Sequence, residues 1–150
     1  MTRSARTGER KNVVFTLMKV FSLLFFSFIL WIIYTANTGG SSVFFELVAA
    51  IPYGDKLGHT LLFGILTLAA NICFKFSSYR LSLPFVAQPK GASIYWGTTL
   101  VLIFVCIEEM SQAFIPSRTF DWLDLTADGV GISLFSYASY RLARILSFKR

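Results

Sequence analysis

One histidine, two adjacent glutamates and a short series of aspartates stand at the ends of otherwise apolar stretches. Asp55-Lys56-Leu57-Gly58-His59 opens one stretch, and Glu108-Glu109-Met110-Ser111-Gln112 lies late in another. Pro116-Ser117-Arg118-Thr119-Phe120-Asp121 leads into a third, which adds Asp124 and Asp128. On a helix, Asp55 and His59 share a face, as do Glu109 and Gln112. Asp121, Asp124 and Asp128, at offsets of three and seven, form one stripe.

These residue types allow a limited chemistry. His59 is a candidate general base or metal ligand, and its plainer reading is a hydrogen-bonded residue that locks one helix to its neighbours. Glu109 is the candidate catalytic partner, and with Gln112 it either binds a polar substrate group or ties helices together. Glu108 projects about 100° away from Glu109, so only one of the two can face the bundle centre squarely. Arg118 offers a planar fork for an anionic headgroup or phosphate; its alternative is a salt bridge to Asp121 or Asp124. Asp55, Lys56, Gln112, Arg118, Asp121, Asp124 and Asp128 form the candidate substrate-binding set. Asp121, and similarly Asp55, also fits a helix cap, and Lys56 a snorkelling anchor. A lone histidine without a Cys pair is a poor zinc signature, so no metal or cofactor is expected. The nearest exception is an oxygen-rich set of Glu109, Asp121 and Asp124 that suits Mg²⁺ or Ca²⁺.

The elements that carry these residues are apolar. Hydrophobic residues make up 55% of the 150-residue chain and charged residues 15%, with a mean hydropathy of +0.62. That leaves too few polar side chains to clothe a water-exposed surface. The net charge of +6 is not gathered into a nucleic-acid motif, so no nucleic-acid partner is expected. Cys73 and Cys106 both sit inside apolar runs and read as packing residues.

Four runs approach the roughly 20 apolar residues that a bilayer span needs: 13–34, 56–76, 93–114 and 122–146. The sequence therefore predicts an all-α membrane protein, a bundle of four transmembrane helices. Residues 43–51, too short to span, read as a helical segment between the first two helices that lies at the interface or packs on the bundle. Residues 1–12 form a basic tail, and 13–150 a single transmembrane domain. The first run exceeds a signal-peptide core and lacks a convincing cleavage pair, so it reads as an uncleaved helix. Gly58, Gly64, Gly129 and Gly131 read as points of close helix approach.

Charge sets the orientation. Eleven of the 14 Lys and Arg lie in the first tail (Arg3, Arg6, Arg10, Lys11), the middle loop (Lys75, Arg80, Lys90) and the last tail (Arg141, Arg144, Lys149, Arg150). The positive-inside rule puts both termini and that loop in the cytoplasm. Trp31, Tyr34 and Trp122 then mark the outer interface, and Tyr79, Tyr95, Trp96 and Tyr140 the inner one. Asp128 lies about 10 Å below Asp121 along its helix. Charges at such depth cost about 2.5–3.5 kcal/mol each, so they must turn inward and find partners.

The pattern Asp55-Lys56-x-x-His59-x-x-x-Phe63, then Glu109-x-x-Gln112-x-x-x-Pro116-x-Arg118-x-x-Asp121-x-x-Asp124, resembles the VanZ-like family over residues 55–131. Asp128 departs from it, because the family often has Asn there. The resemblance implies a small multi-pass protein of the bacterial cytoplasmic membrane, with a founding member linked to teicoplanin resistance. It also implies a cell-envelope role and an effect on glycopeptide sensitivity. Three readings stand. One is a binding protein whose outer-leaflet pocket engages membrane lipids or lipid-linked cell-wall precursors. Another is a membrane enzyme acting on a lipid headgroup with His59 as general base. The third is a proton-linked transporter using Glu109 and Asp128, for which a homo-oligomer would enclose a path.

Overall fold

The computed structural model describes residues 3–80, 93–116 and 118–146, with side chains from Val13 onward. The expected charges at Arg3, Arg6, Arg10, Lys11, Lys90, Lys149 and Arg150, and the site neighbour Ser117, lie outside the described residues or side chains.

The chain is mostly helical. Its elements are α1 (Arg3–Asn37), α2 (Val43–Ala49), α3 (Gly54–Cys73), β1 (Ser78–Tyr79), β2 (Ile94–Tyr95), α4 (Trp96–Gln112) and α5 (Trp122–Ile145). Two helical stretches, Val13–Asn37 and Gly54–Cys73, are long and apolar enough to cross a membrane. α4 has 17 residues, and α5 carries Asp124, Asp128, Arg141 and Arg144 along its length.

Three features depart from the sequence expectation. The backbone of 3–12 continues α1 instead of forming a separate tail, since each added helical residue gains a hydrogen bond without a new nucleation cost. α3 stops at Cys73, three residues before the expected end. There Lys75 and Phe76 adopt left-handed φ values of 51° and 55°, and the Phe76 N–H closes back on the Asn71 carbonyl at 2.7 Å, a Schellman-type ending. Burial of the Phe76 ring offsets that backbone strain. Finally, the architecture is not purely helical: Ser78 pairs with Tyr95 and Tyr79 with Ile94 in a short antiparallel ribbon. This ribbon buries Tyr95 against Phe76, so Tyr95 belongs to the core and not to an interfacial belt.

α3 is the central helix and packs against α1, α2, α4 and α5. Its inner face supplies Phe63 and Leu66 to a core with Ile29 of α1, Val101 and Val105 of α4, and Ile132 of α5. The α3–α5 approach depends on glycine. A Cβ at Gly131 would stand 2.1 Å from the Thr60 carbonyl oxygen, and one at Gly64 would stand 2.5 Å from the Phe135 ring. Gly58 and Gly129 meet nothing within 4 Å, so the expectation of close contact fails for those two. Large apolar side chains are exposed along α1 (Leu17, Phe21, Leu23, Leu24), on α4 (Leu102, Ile103, Ile107) and on α5 (Leu134, Tyr137).

Candidate functional site

The polar residues at the ends of α3, α4 and α5 converge. α5 is started by Asp121, whose carboxylate accepts the Leu123 N–H at 2.8 Å; this is the N-cap expected of it. With that start fixed, Asp124 and Asp128 fall on the face turned toward α3, and both are buried. Thr60 reinforces the seam by donating to the Ala127 carbonyl at 3.1 Å.

Lys56 does not snorkel outward. Its ammonium turns into the cluster and pairs with Asp55 at 3.0 Å, with Asp121 at 2.7 Å, and with Asp124. Asp55 makes no cap either: the residue before α3 is Tyr53, with φ of 57° and no side-chain capping bond. Because Lys56 occupies Asp121 and Asp124, the salt bridges expected from Arg118 to those acids are replaced. Arg118 Nε instead donates to Gln112 Oε1 at 3.3 Å. Outside the helices, Asp121 is held below the usual aspartate range, first by the Lys56 hydrogen bond and then by the Leu123 N–H.

His59 sits one helical turn below Asp55. Its Nδ1 lies 3.0 Å from Asp128 Oδ1, while Nε2 faces Asp55 at 3.9 Å and Asp124 at 4.0 Å. Asp128 thus orients the ring, and the nitrogen directed at Asp55 and Asp124 is the one left for proton transfer.

On α4, both adjacent glutamates are buried, Glu108 at 7% and Glu109 at 0% exposure, which corrects the expectation that only one faces inward. They look at different neighbours. Glu109 approaches His59 and Asp128, with ligand atoms of all three within 4.8 Å of one another, whereas Glu108 lines a cavity beside Arg118. Gln112 joins them, donating from Nε2 to Glu108 Oε1 at 3.1 Å, to Glu108 Oε2 at 3.0 Å and to Glu109 Oε1 at 3.2 Å. The i, i+4 spacing of Glu108 and Gln112 was the signal available in the sequence. The oxygen set of Glu109, Asp121 and Asp124 does not assemble. Among the described residues, the groups that do are Asp55, His59 and Asp124, and His59, Glu109 and Asp128.

The cavity next to this cluster has a volume of about 150 Å³. Its walls are Ile29 and Ile33 of α1, Phe44 and Phe45 of α2, and Leu62 and Phe63 of α3. Asp55, His59, Glu108 and Arg118 provide its polar part. α2, the short segment expected at the interface or packed on the bundle, therefore helps to close the space above α3.

A second buried polar group was missed in the sequence. Asn71 near the other end of α3 donates to Thr98 Oγ1 at 3.1 Å and to Ser139 Oγ at 3.0 Å, and accepts the Thr98 N–H at 2.9 Å. A lone amide inside an apolar run was the available hint. All its partners are satisfied within the bundle, which marks it as interhelical fastening.

Compared with protein-family models, with curated proteins and with solved structures, the chain gives no match, so its function rests on the arrangement of these side chains.

Proposed function

We propose that the chain is a VanZ-like protein of the bacterial cytoplasmic membrane that binds the anionic head of a lipid or lipid-linked cell-wall precursor. In this reading α1, α3, α4 and α5 all cross the bilayer, both termini are cytoplasmic, and the polar cluster faces the outer leaflet. The observation that carries it is the cavity between α1, α2 and α3, whose wall is apolar and whose polar remainder presents Arg118 and His59 beside the carboxylates of Asp55 and Glu108. An amphiphile needs both surfaces in one place. A 150 Å³ space accommodates a benzene-sized group, so the cavity takes a phosphate or one short chain segment and leaves the rest of the lipid in the bilayer. The exposed apolar faces of α1, α4 and α5 fit a chain whose solvent is lipid.

The test is native mass spectrometry of the full chain with a long polyprenyl phosphate, the matching uncharged polyprenol and phosphatidylglycerol. Selective retention of a phosphate-bearing lipid, with a loss of about tenfold or more in Arg118→Ala, is the expected result; one lost charge-assisted contact of about 1.5–3 kcal/mol has that effect. Equal retention of phosphate and alcohol would remove the reading. In a host where the protein alters glycopeptide sensitivity, Arg118→Ala at normal protein levels is expected to abolish that effect.

The pairing of His59 Nδ1 with Asp128 at 3.0 Å favours a second reading. A carboxylate-oriented imidazole is suited to general-base attack on a headgroup. Envelope lipids left chemically unchanged by the purified protein would decide for binding alone.

A further inference from the structure

We propose that His59, Glu109 and Asp128 bind one divalent transition-metal ion, zinc or manganese in character, which ties α3, α4 and α5 together. The inference does not depend on lipid binding, since the ion can be held with or without a lipid beside it.

The geometry comes first. The three side chains come from three different helices, and their ligand atoms lie within 4.8 Å of one another. Ligands about 2.1 Å from one tetrahedral ion stand roughly 3.4 Å apart. His59 Nδ1 and Asp128 Oδ1, at 3.0 Å, are already near that separation. The ion would replace the proton shared between these two atoms. His59 Nε2 would keep facing Asp55 and Asp124, which at 3.9 and 4.0 Å are charge neighbours of the ring without a hydrogen bond to it.

An independent observation points to a ligand. Glu109 and Asp128 are both 0% exposed, yet Glu109 Oε2 and Asp128 Oδ2 are buried with no hydrogen-bond partner among the described residues. Leaving a buried carboxylate oxygen unmatched carries a full desolvation penalty, and two such oxygens occur in one cluster. Charge points the same way. Six carboxylates (Asp55, Glu108, Glu109, Asp121, Asp124 and Asp128) share Lys56, Arg118 and His59. Lys56 is engaged by Asp55, Asp121 and Asp124, which leaves the lower group with the greater shortage of positive charge. The upper triad of Asp55, His59 and Asp124 would place a dication against the Lys56 ammonium, so the lower triad is the better site.

The donor set narrows the ion. One imidazole with two carboxylates is harder than a thiolate site and softer than an all-oxygen calcium site, which suits Zn²⁺ or Mn²⁺ over Mg²⁺ or Ca²⁺.

The test uses the full chain in lipid nanodiscs, stripped with chelator, then equilibrated with Zn²⁺ or Mn²⁺ alone and passed over a sizing column. Elemental analysis should return one ion per chain. Asp128→Asn and Glu109→Gln should each weaken retention by about tenfold or more, while Glu46→Gln on α2 should not. The wild-type unfolding temperature should rise with Zn²⁺ and fall with chelator. No ion retained by the wild type, or retention undiminished in both variants, overturns the site and leaves the two carboxyls sharing a proton. If both variants fail to fold, the wild type decides. Visible bands of mixed nitrogen and oxygen ligation with Co²⁺ support the site, and a colourless, metal-free chain rejects it.

Discussion

Replacing Lys56 by Met removes an ammonium and keeps most of its apolar stem, so it isolates the charge that holds three aspartates. In the folded chain this ammonium meets Asp55, Asp121 and Asp124. The loss falls unevenly, because the Asp124 side chain is 10% exposed while those of Asp121 and Asp55 are 37% and 64% exposed. Removing one member of a fully buried pair costs about 3–5 kcal/mol, and an exposed pair contributes about 0–1 kcal/mol. Lys56 itself keeps 27% exposure, which places Lys56→Met between these limits, at about 2–3 kcal/mol of destabilisation. Asp124→Asn alone leaves Lys56 with two partners and should cost about 1 kcal/mol. The double variant carries no orphaned charge at Asp124, so it should be less damaged than the sum of the two, with a coupling of about 1–2 kcal/mol. Reversible unfolding in mixed micelles, followed by circular dichroism, measures all four proteins. Lys56→Met within about 0.5 kcal/mol of wild type, or strict additivity in the cycle, would refute the claim that these charges are mutually dependent.

Gly131→Ala places a methyl group where the Thr60 carbonyl already sits and should cost about 1–3 kcal/mol through overpacking. Gly58→Ala, in open space on α3, should be neutral or stabilise by up to about 1 kcal/mol. The same unfolding measurement compares them, and equal effects would count against the α3–α5 approach. Asp121→Asn keeps a good capping side chain and removes only the charge. Since Lys56 and the Leu123 N–H lower the Asp121 pKa, its stabilising contribution is complete above the unfolded value of about 3.9 and is lost as pH falls through the lower folded value. The gap in unfolding temperature between wild type and Asp121→Asn should be constant from pH 5 to 8, by this account, and close below about pH 4. A gap that persists in acid would show that the charge is not its source.

Much of this arrangement is visible before any folding is considered. Helical periodicity puts Asp55 with His59, and Asp121 with Asp124 and Asp128, on shared faces, and apolar length marks 13–34 and 56–76 as helices able to cross a bilayer. The expense of charge in an apolar medium then requires these groups to meet inside the bundle. His59, Asp124, Asp128, Glu109 and Gln112 do meet. Local spacing fixes which residues lie side by side, but it does not set the rotation of one helix against another. That rotation selected Gly131 and Gly64 over Gly129 and Gly58 for the tight seam, turned Lys56 inward onto Asp124, and gave Asn71 its partners on α4 and α5.

The adjacent glutamates show the boundary most clearly. Their roughly 100° separation on α4 is a property of the chain alone, and it allows only one of them to face the bundle centre squarely. Both are buried because α4 has polar neighbours on two sides: His59 and Asp128 meet Glu109, and Arg118, returning through Gln112, lies beside Glu108 at the cavity. Amino-acid order determined the helices, their faces and the need for buried charge to be matched. Tertiary packing alone decided which partner each charge received, because that depends on which helix end stands opposite, a long-range fact that no local spacing contains.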